Sequence, residues 1–217
     1  MTDLNLQIEE LISKNATDFQ ISKIIKTYYK DYLNSIDTTV ETTGGKDFFI
    51  KHTKHTDKFL ILLYKYILRK NFASHQPMSS SVPISLIALG SYGREQLCIY
   101  SDIDIMILYE DIKGYNLKTI IEEFITLTWD CGLKLGSRVD ELKNIENVVK
   151  EDITIKSAIL ESRIIYGSKT LWVSYENILK KIRKTDQKEF ILEKLEEHKQ
   201  RLLKFPLKME PNIKDGY

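Results

Sequence analysis

Hydrophobic positions in the first third of the chain recur at helical spacing. Leu4, Ile8, Leu11 and Ile12 would line one face of a helix, and Ile21, Ile24, Ile25 and Tyr28 resume the pattern after a break near Asn15-Ala16. The segment 38–46 (TTVETTGGK) is polar, carries Gly44-Gly45 and reads as a loop. A longer helix is expected from about Phe48 to Lys70, and the proline- and serine-rich stretch 75–83 (HQPMSSSVP) reads as a connector and the best boundary.

The pattern then changes character. Ile84 to Leu89 is a short apolar run that ends at glycine, as a buried strand would, and Ile103 to Tyr109 is another. Leu117 to Trp129 places Ile120, Ile121, Phe124, Ile125 and Thr128 on one side of an amphipathic helix. Leu133 to Val139 reads as a third strand with Leu133, Leu135 and Val139 on one parity. From Asn144 the helical period returns: Ile155, Ala158, Ile159, Ser162 and Tyr166 would share a face, with Gly167 as the C-cap. Two further helices are expected over Leu171 to Ile182 and Phe190 to Phe205, the last one stopped by Pro206. Together these elements predict an α+β fold: a small mixed sheet flanked by N-terminal helices and a C-terminal helical bundle. The expected divisions are 1–78 (helical), 79–143 (α/β core) and 144–217 (helical, substrate-binding).

Composition narrows the function classes. The chain has 217 residues, 29% charged and 42% hydrophobic, enough for one substantial core with helical attachments. A formal net charge of +1 argues against an extended nucleic-acid surface. Two cysteines, Cys98 and Cys131, form no C-x-x-C pair, so neither a zinc site nor a disulfide framework is expected. No basic n-region precedes an apolar run at the N-terminus, and no apolar run is long enough to span a bilayer; the expectation is a cytoplasmic protein.

The chemistry concentrates in Leu89-Gly90-Ser91-Tyr92-Gly93-Arg94 and Ser101-Asp102-Ile103-Asp104-Ile105. Alternate strand residues share a face, so Asp102 and Asp104 would project together. Two neighbouring carboxylates repel unless a cation lies between them. A glycine turn with free N–H groups beside such a cation suits a polyphosphate. The combination predicts metal-dependent nucleotidyl transfer, with Asp102 and Asp104 holding magnesium, or alternatively manganese. Gly90 and Ser91 would cradle the outer phosphates and Gly93 would complete the turn. Arg94 would support a phosphate or position Asp102, the alternative being a surface pair with Glu95. Ser101 would cap or orient the metal-bearing strand. Asp140, at the end of the third strand, is the candidate third ligand or base, with Glu141 next; the competing role for Asp140 is a helix N-cap. His52 and His55 read as solvated, Trp129 and Trp172 as core residues, and Lys180, Lys181, Arg183 and Lys184 as a solvated helix end.

Gly90-Ser91, Gly93-Arg94 and Ser101-Asp102-Ile103-Asp104 resemble the signature of the polymerase-β-type nucleotidyltransferase superfamily. More narrowly, Ala88 to Asp104 resembles the N-terminal domain of the bifunctional uridylyltransferase/uridylyl-removing enzymes that modify the PII nitrogen-signalling protein. The resemblance continues in Asp130-Cys131-Gly132-Leu133, in Leu160-Glu161-Ser162-Arg163 and in Glu210 to Gly216. It implies a nucleoside triphosphate, UTP, as donor and a PII-like protein as acceptor. Departures are Ser91 for glycine, Gln96 for glutamate, Ile99 for proline, and Ser137-Arg138-Val139-Asp140 where the family has H-S-V-R. The hydrolytic HD and effector-sensing ACT domains lie outside this sequence, which reads as a piece cut at a domain boundary or as a short protein. Uridylyl removal and glutamine sensing are not assigned to it. Two other functions fit the same residues: a catalytically weak nucleotide-binding regulatory module, and a small-molecule nucleotidyltransferase of the antibiotic-modifying kind.

Overall fold

Helices precede, interrupt and follow a single small sheet. The computed structural model describes residues 2–43, 45–72, 78 and 81–204. In order, these form α1 (Thr2–Ser13), α2 (Asp18–Thr43), α3 (Lys46–Phe72), β1 (Ile84–Ala88), the one-turn α4 (Gly90–Gly93), β2 (Ile103–Tyr109), α5 (Leu117–Asp130), β3 (Leu135–Glu141), a 3₁₀ turn (Leu142–Asn144), α6 (Ile145–Glu151), α7 (Ile153–Leu160), β4 (Arg163–Gly167), α8 (Lys169–Ile182) and α9 (Gln187–Lys204). The sheet order is β3-β2-β1-β4. β1 runs antiparallel to both β2 and β4, and β2 runs parallel to β3. The mixed α+β architecture expected from the sequence is borne out.

Strand alternation assigns each face of the sheet to its own helices. Ile84, Leu86 and Ala88 of β1 and Ile103, Ile105 and Ile107 of β2 point toward α1, α2, α3 and α5. There they join Leu4, Ile8, Ile25, Phe59, Leu63, Tyr64, Ile67, Ile120 and Phe124 in one buried core. Ile87, Leu89, Met106 and Leu108 point the other way, onto Ile145, Val149, Ile159, Leu171, Tyr175 and Leu179 of α6, α7 and α8. Burying each large apolar side chain contributes about 1.5–3 kcal/mol, so both layers hold the sheet firmly. Ser85 and Ser168, both buried polar residues, are partnered. The Ser85 hydroxyl donates to the Ser168 carbonyl at 2.8 Å, while the Ser168 hydroxyl accepts from the Leu171 N–H and caps α8. Asp152 caps α7 by accepting from the Thr154 and Ile155 N–H groups, and Asn116 caps α5.

Several expectations need correction. The stretch 38–43 is not a loop, because α2 continues to Thr43. β-Branched residues lower helix propensity only by tenths of a kcal/mol, and no glycine or proline occurs before Gly44-Gly45. The helix expected to end at Gly167 stops at Leu160, and Arg163-Ile164-Ile165-Tyr166 becomes β4. That run is β-branched and aromatic, and the free edge of β1 offers it backbone partners, from Ala88 opposite Arg163 to Ser85 opposite Gly167. Gly167 is no C-cap. It has φ +120°, and a Cβ there would collide with the Ile84 carbonyl oxygen. Trp129 is 59% exposed rather than core, whereas Trp172 packs against Tyr175. Val139 is 43% exposed on the edge strand β3.

His52 and His55 are not solvated surface residues. His52 is buried; its Nδ1 bonds the Tyr32 hydroxyl at 2.9 Å. The His55 ring stacks on Tyr32 with centroids 3.6 Å apart. Most of the expected connector 75–83, the stop at Pro206 and the matching segment Glu210 to Gly216 lie outside the described residues. Among the described residues no helix is long and apolar enough to cross a membrane. Cys98 is an exposed free thiol and Cys131 a buried one.

Candidate active site

The strand directions bring the chemical motifs to one end of the sheet. β1 finishes where β2 begins, because the two are antiparallel. β3, parallel to β2, also begins there, and β4 begins opposite Ala88, the last residue of β1. Four chain segments therefore converge: the Gly90-Ser91 turn after β1, Asp102 and Asp104 at the start of β2, Gly136 at the start of β3, and Arg163 at the start of β4. Backbone bonds fix their alignment. The Leu89 N–H donates to the Asp104 carbonyl at 2.9 Å, tying the glycine turn to the acidic pair. The Ile103 N–H donates to the Lys134 carbonyl at 2.7 Å, tying β2 to the approach to β3.

Asp102 and Asp104 are both exposed, on the sheet face shared with Met106 and Leu108. Partial desolvation against the sheet raises the Asp104 pKa, and the negative charge of Asp102 raises it further. One carboxylate thus feels the other, a repulsion that a divalent cation between them would relieve. The opposing residue on β3 is Gly136, and a Cβ there would occupy the place of Asp104 Oδ1. The acidic side chain therefore lies across a strand that has no side chain at that point. The donor set fits a hard cation that takes oxygen ligands and keeps several waters. Among the described residues, no group of three or more His, Cys, Asp and Glu side chains is placed to hold a metal.

The turn itself is built for close approach. Gly90 has φ +52°, and nothing lies within 4 Å of where its Cβ would be, so its backbone faces open space. Ser91 follows at the start of α4, with its carbonyl accepting from the Gln96 N–H at 2.8 Å. Gly93 has a different task. A Cβ there would run into the Glu161 carbonyl oxygen and come within 3.1 Å of the Ala88 oxygen, so this glycine lets α4 pack on the α7–β4 junction. Arg94 does not pair with Glu95; its guanidinium bonds Glu161, and its Nε–H donates to Gln96 at 3.3 Å. Ser101 lies toward the opposite side of β2, lining a cavity of about 220 Å³ with Tyr29, Asn34, Ile103 and Lys134.

Asp140 shares a sheet face with Asp104 but is not brought to it. It pairs in register with Leu108, four residues along β2 and so about 13 Å away along the strand. It is buried and forms a two-point ion pair with Arg138, one contact being Nη2–H to Oδ1 at 2.9 Å. It caps no helix: the following 3₁₀ turn starts after Glu141, which pairs with Lys143 at 2.6 Å.

Residues 50–137 match the family described as "Putative nucleotidyltransferase DUF294". The chain is also similar to bifunctional uridylyltransferase/uridylyl-removing enzymes. It is 36% identical over 140 residues to that of Burkholderia orbicola (strain AU 1054), 37% over 140 residues to that of Burkholderia lata, and 35% over 137 residues to that of Burkholderia thailandensis. Each match takes in 61% of this chain and 16% of the relative's length. Residues 50–137 are thus similar to a nucleotidyltransferase family, and the chain spans about a sixth of the length of the curated relatives it matches. The resemblance read from Ala88 to Asp104 is borne out, and the structure locates one of its outlying pieces. Leu160-Glu161-Ser162-Arg163 is the α7–β4 junction, where Glu161 holds Arg94 and Arg163 reaches α3.

Several residues of this candidate site escape the sequence reading. Gly136 is not among the candidate residues read from the sequence, although a glycine within a strand often marks a close approach. Arg163 was hidden inside an expected helix. Asp57 and Arg138 gave no pattern at all, because their partners are distant in sequence or belong to another element.

Proposed function

We propose that this chain is a nucleotidyltransferase that moves a nucleoside monophosphate from a triphosphate to an acceptor hydroxyl. The curated relatives carry the name uridylyltransferase, which makes UTP the donor of choice and, by the same resemblance, a PII-like signalling protein the acceptor. One relationship carries the reading: the glycine-serine turn and the acidic pair face the same end of the sheet and are joined through Leu89 and Asp104.

Asp102 and Asp104 would hold magnesium or manganese. The bound ion would supply neutralisation of charge on the triphosphate oxygens. The protein's own contribution is positioning. Gly90 leaves room for phosphate oxygens to approach the backbone, and the Ser91 hydroxyl donates to them. Gly136 keeps space for the Asp104 carboxylate. Arg94, oriented by Glu161, places a positive charge at the end of the turn. Asp140 is assigned to hold Arg138, which projects from the same sheet face as Asp104. Catalysis then rests on alignment and fixed charge.

The test is label transfer from α-³²P-UTP with magnesium and a PII-like acceptor. The wild-type chain is expected to transfer label, and Asp102→Ala/Asp104→Ala is expected to lose transfer while staying folded. Equal transfer by both would defeat the proposal.

A further inference from the structure

We infer that Asp57, on α3, is a positioning residue for the nucleotide-binding turn and acts through Tyr92. This inference rests on the nucleotidyl-transfer reading above and assigns a role to a side chain that touches none of the reacting groups.

Tyr92 sits between Ser91 and Gly93 and is fully buried. Its hydroxyl donates to Asp57 Oδ1 at 2.6 Å. Arg163 donates to the same carboxylate from its other side, Nη1 to Oδ2 at 2.9 Å and Nη2 to Oδ1 at 3.0 Å. The guanidinium also lies 5.6 Å from the centroid of the Tyr92 ring. One carboxylate thus joins three elements that are far apart in sequence: α3, the α4 turn and β4.

The network brackets the turn. Arg163 stands opposite Ala88, two residues before Gly90, and Tyr92 stands two residues after it. Gly90 has no side chain with which to anchor itself and adopts a left-handed φ. Its neighbours must therefore set the direction in which the backbone and the Ser91 hydroxyl point. The Arg163 Nε is buried without a hydrogen-bond partner, so Asp57 is the carboxylate that compensates this charge. Neutralising Asp57 would leave the guanidinium poorly matched and release the Tyr92 hydroxyl together. A loosened turn grips phosphates less well, while Asp102 and Asp104 stay where β2 holds them. The signature is a rise in KM for the nucleotide with little change in kcat.

The experiment uses the full chain with MgUTP, comparing wild type, Tyr92→Phe, Asp57→Asn and the double variant below their unfolding temperatures. Ile67→Val, a buried core substitution remote from the turn, serves as the control for lost stability alone. Asp57→Asn is expected to raise KM and the calorimetric Kd for UTP by about tenfold or more, with kcat within about threefold. Tyr92→Phe should show a smaller rise, and the double variant should be no worse than Asp57→Asn, since both cut one network. Ile67→Val should keep the wild-type KM. Wild-type KM in folded Tyr92→Phe and Asp57→Asn would overturn the inference. If Asp57→Asn does not fold, Tyr92→Phe decides alone, because it removes a single hydroxyl. A wild-type chain that neither binds UTP nor transfers label would overturn the functional reading itself, and this inference with it.

Discussion

The Asp104 carboxylate occupies the space that a side chain at position 136 would need, and Gly136 is what leaves that space free. The obstacle to a larger residue is the end of a side chain rather than backbone. Gly136→Ala should therefore displace the carboxylate and spare the fold. Magnesium-dependent transfer is expected to fall by about a hundredfold, as for small misplacements of catalytic groups. Stability in a denaturant titration should change by less than about 1 kcal/mol.

Gly93→Ala should show the opposite balance. Its Cβ would meet the Glu161 carbonyl oxygen, a backbone atom at the α7–β4 junction. Overpacking of this kind costs about 1–3 kcal/mol. Chemical denaturation should register that loss, and the Arg94–Glu161 pair should weaken as α4 is pushed from its seat.

Asp140→Asn separates an ion-pair role from a metal-binding one. The buried carboxylate is engaged by Arg138 on its own strand. Removing its charge should lower stability by about 1–3 kcal/mol, the cost of leaving a polar partner poorly satisfied. Manganese affinity, followed by paramagnetic relaxation, should stay within about twofold of wild type. A large loss of manganese binding would instead place Asp140 among the ligands.

Stability should decline in mild acid through His52 and His55. Burial lowers both pKa values from 6.5 to about 4, with nearby Lys58 adding to the effect at His55. In the unfolded chain each histidine takes up a proton below about pH 6.5, whereas the folded protein resists until about pH 4. Their contribution is therefore complete above the higher value and erodes as pH falls toward the lower one. The slope is at most about 1.4 kcal/mol per pH unit for each proton. Urea midpoints from pH 7.5 to 4 should trace the decline, and His55→Leu should flatten it.

The parts of this fold governed by local pattern were legible beforehand. β1, β2 and α5 announce themselves through short apolar runs or a clean helical stripe, and the acidic pair follows from strand alternation. The errors came where a partner decided the outcome. Residues 155–166 satisfy a helical period, yet Ile164 to Tyr166 finds unpaired backbone on β1 and becomes a strand. His52 looks like a surface residue until Tyr32, twenty positions earlier, supplies a hydrogen bond and a stacking face. Within the site, Asp102, Asp104 and the glycine turn could be read from spacing. Asp57, Gly136 and Arg163 could not, because each matters only for what lies opposite it.

The continuous core beneath Ile84, Leu86, Ile103, Ile105 and Ile107 is supplied largely by α1, α2 and α3. The strand bearing the two acids is thus upholstered from behind by the N-terminal helices. Shortening the chain from that end would strip the lining from β2 and let its acidic tip wander, so catalytic competence and an intact N-terminal half should be lost or kept together.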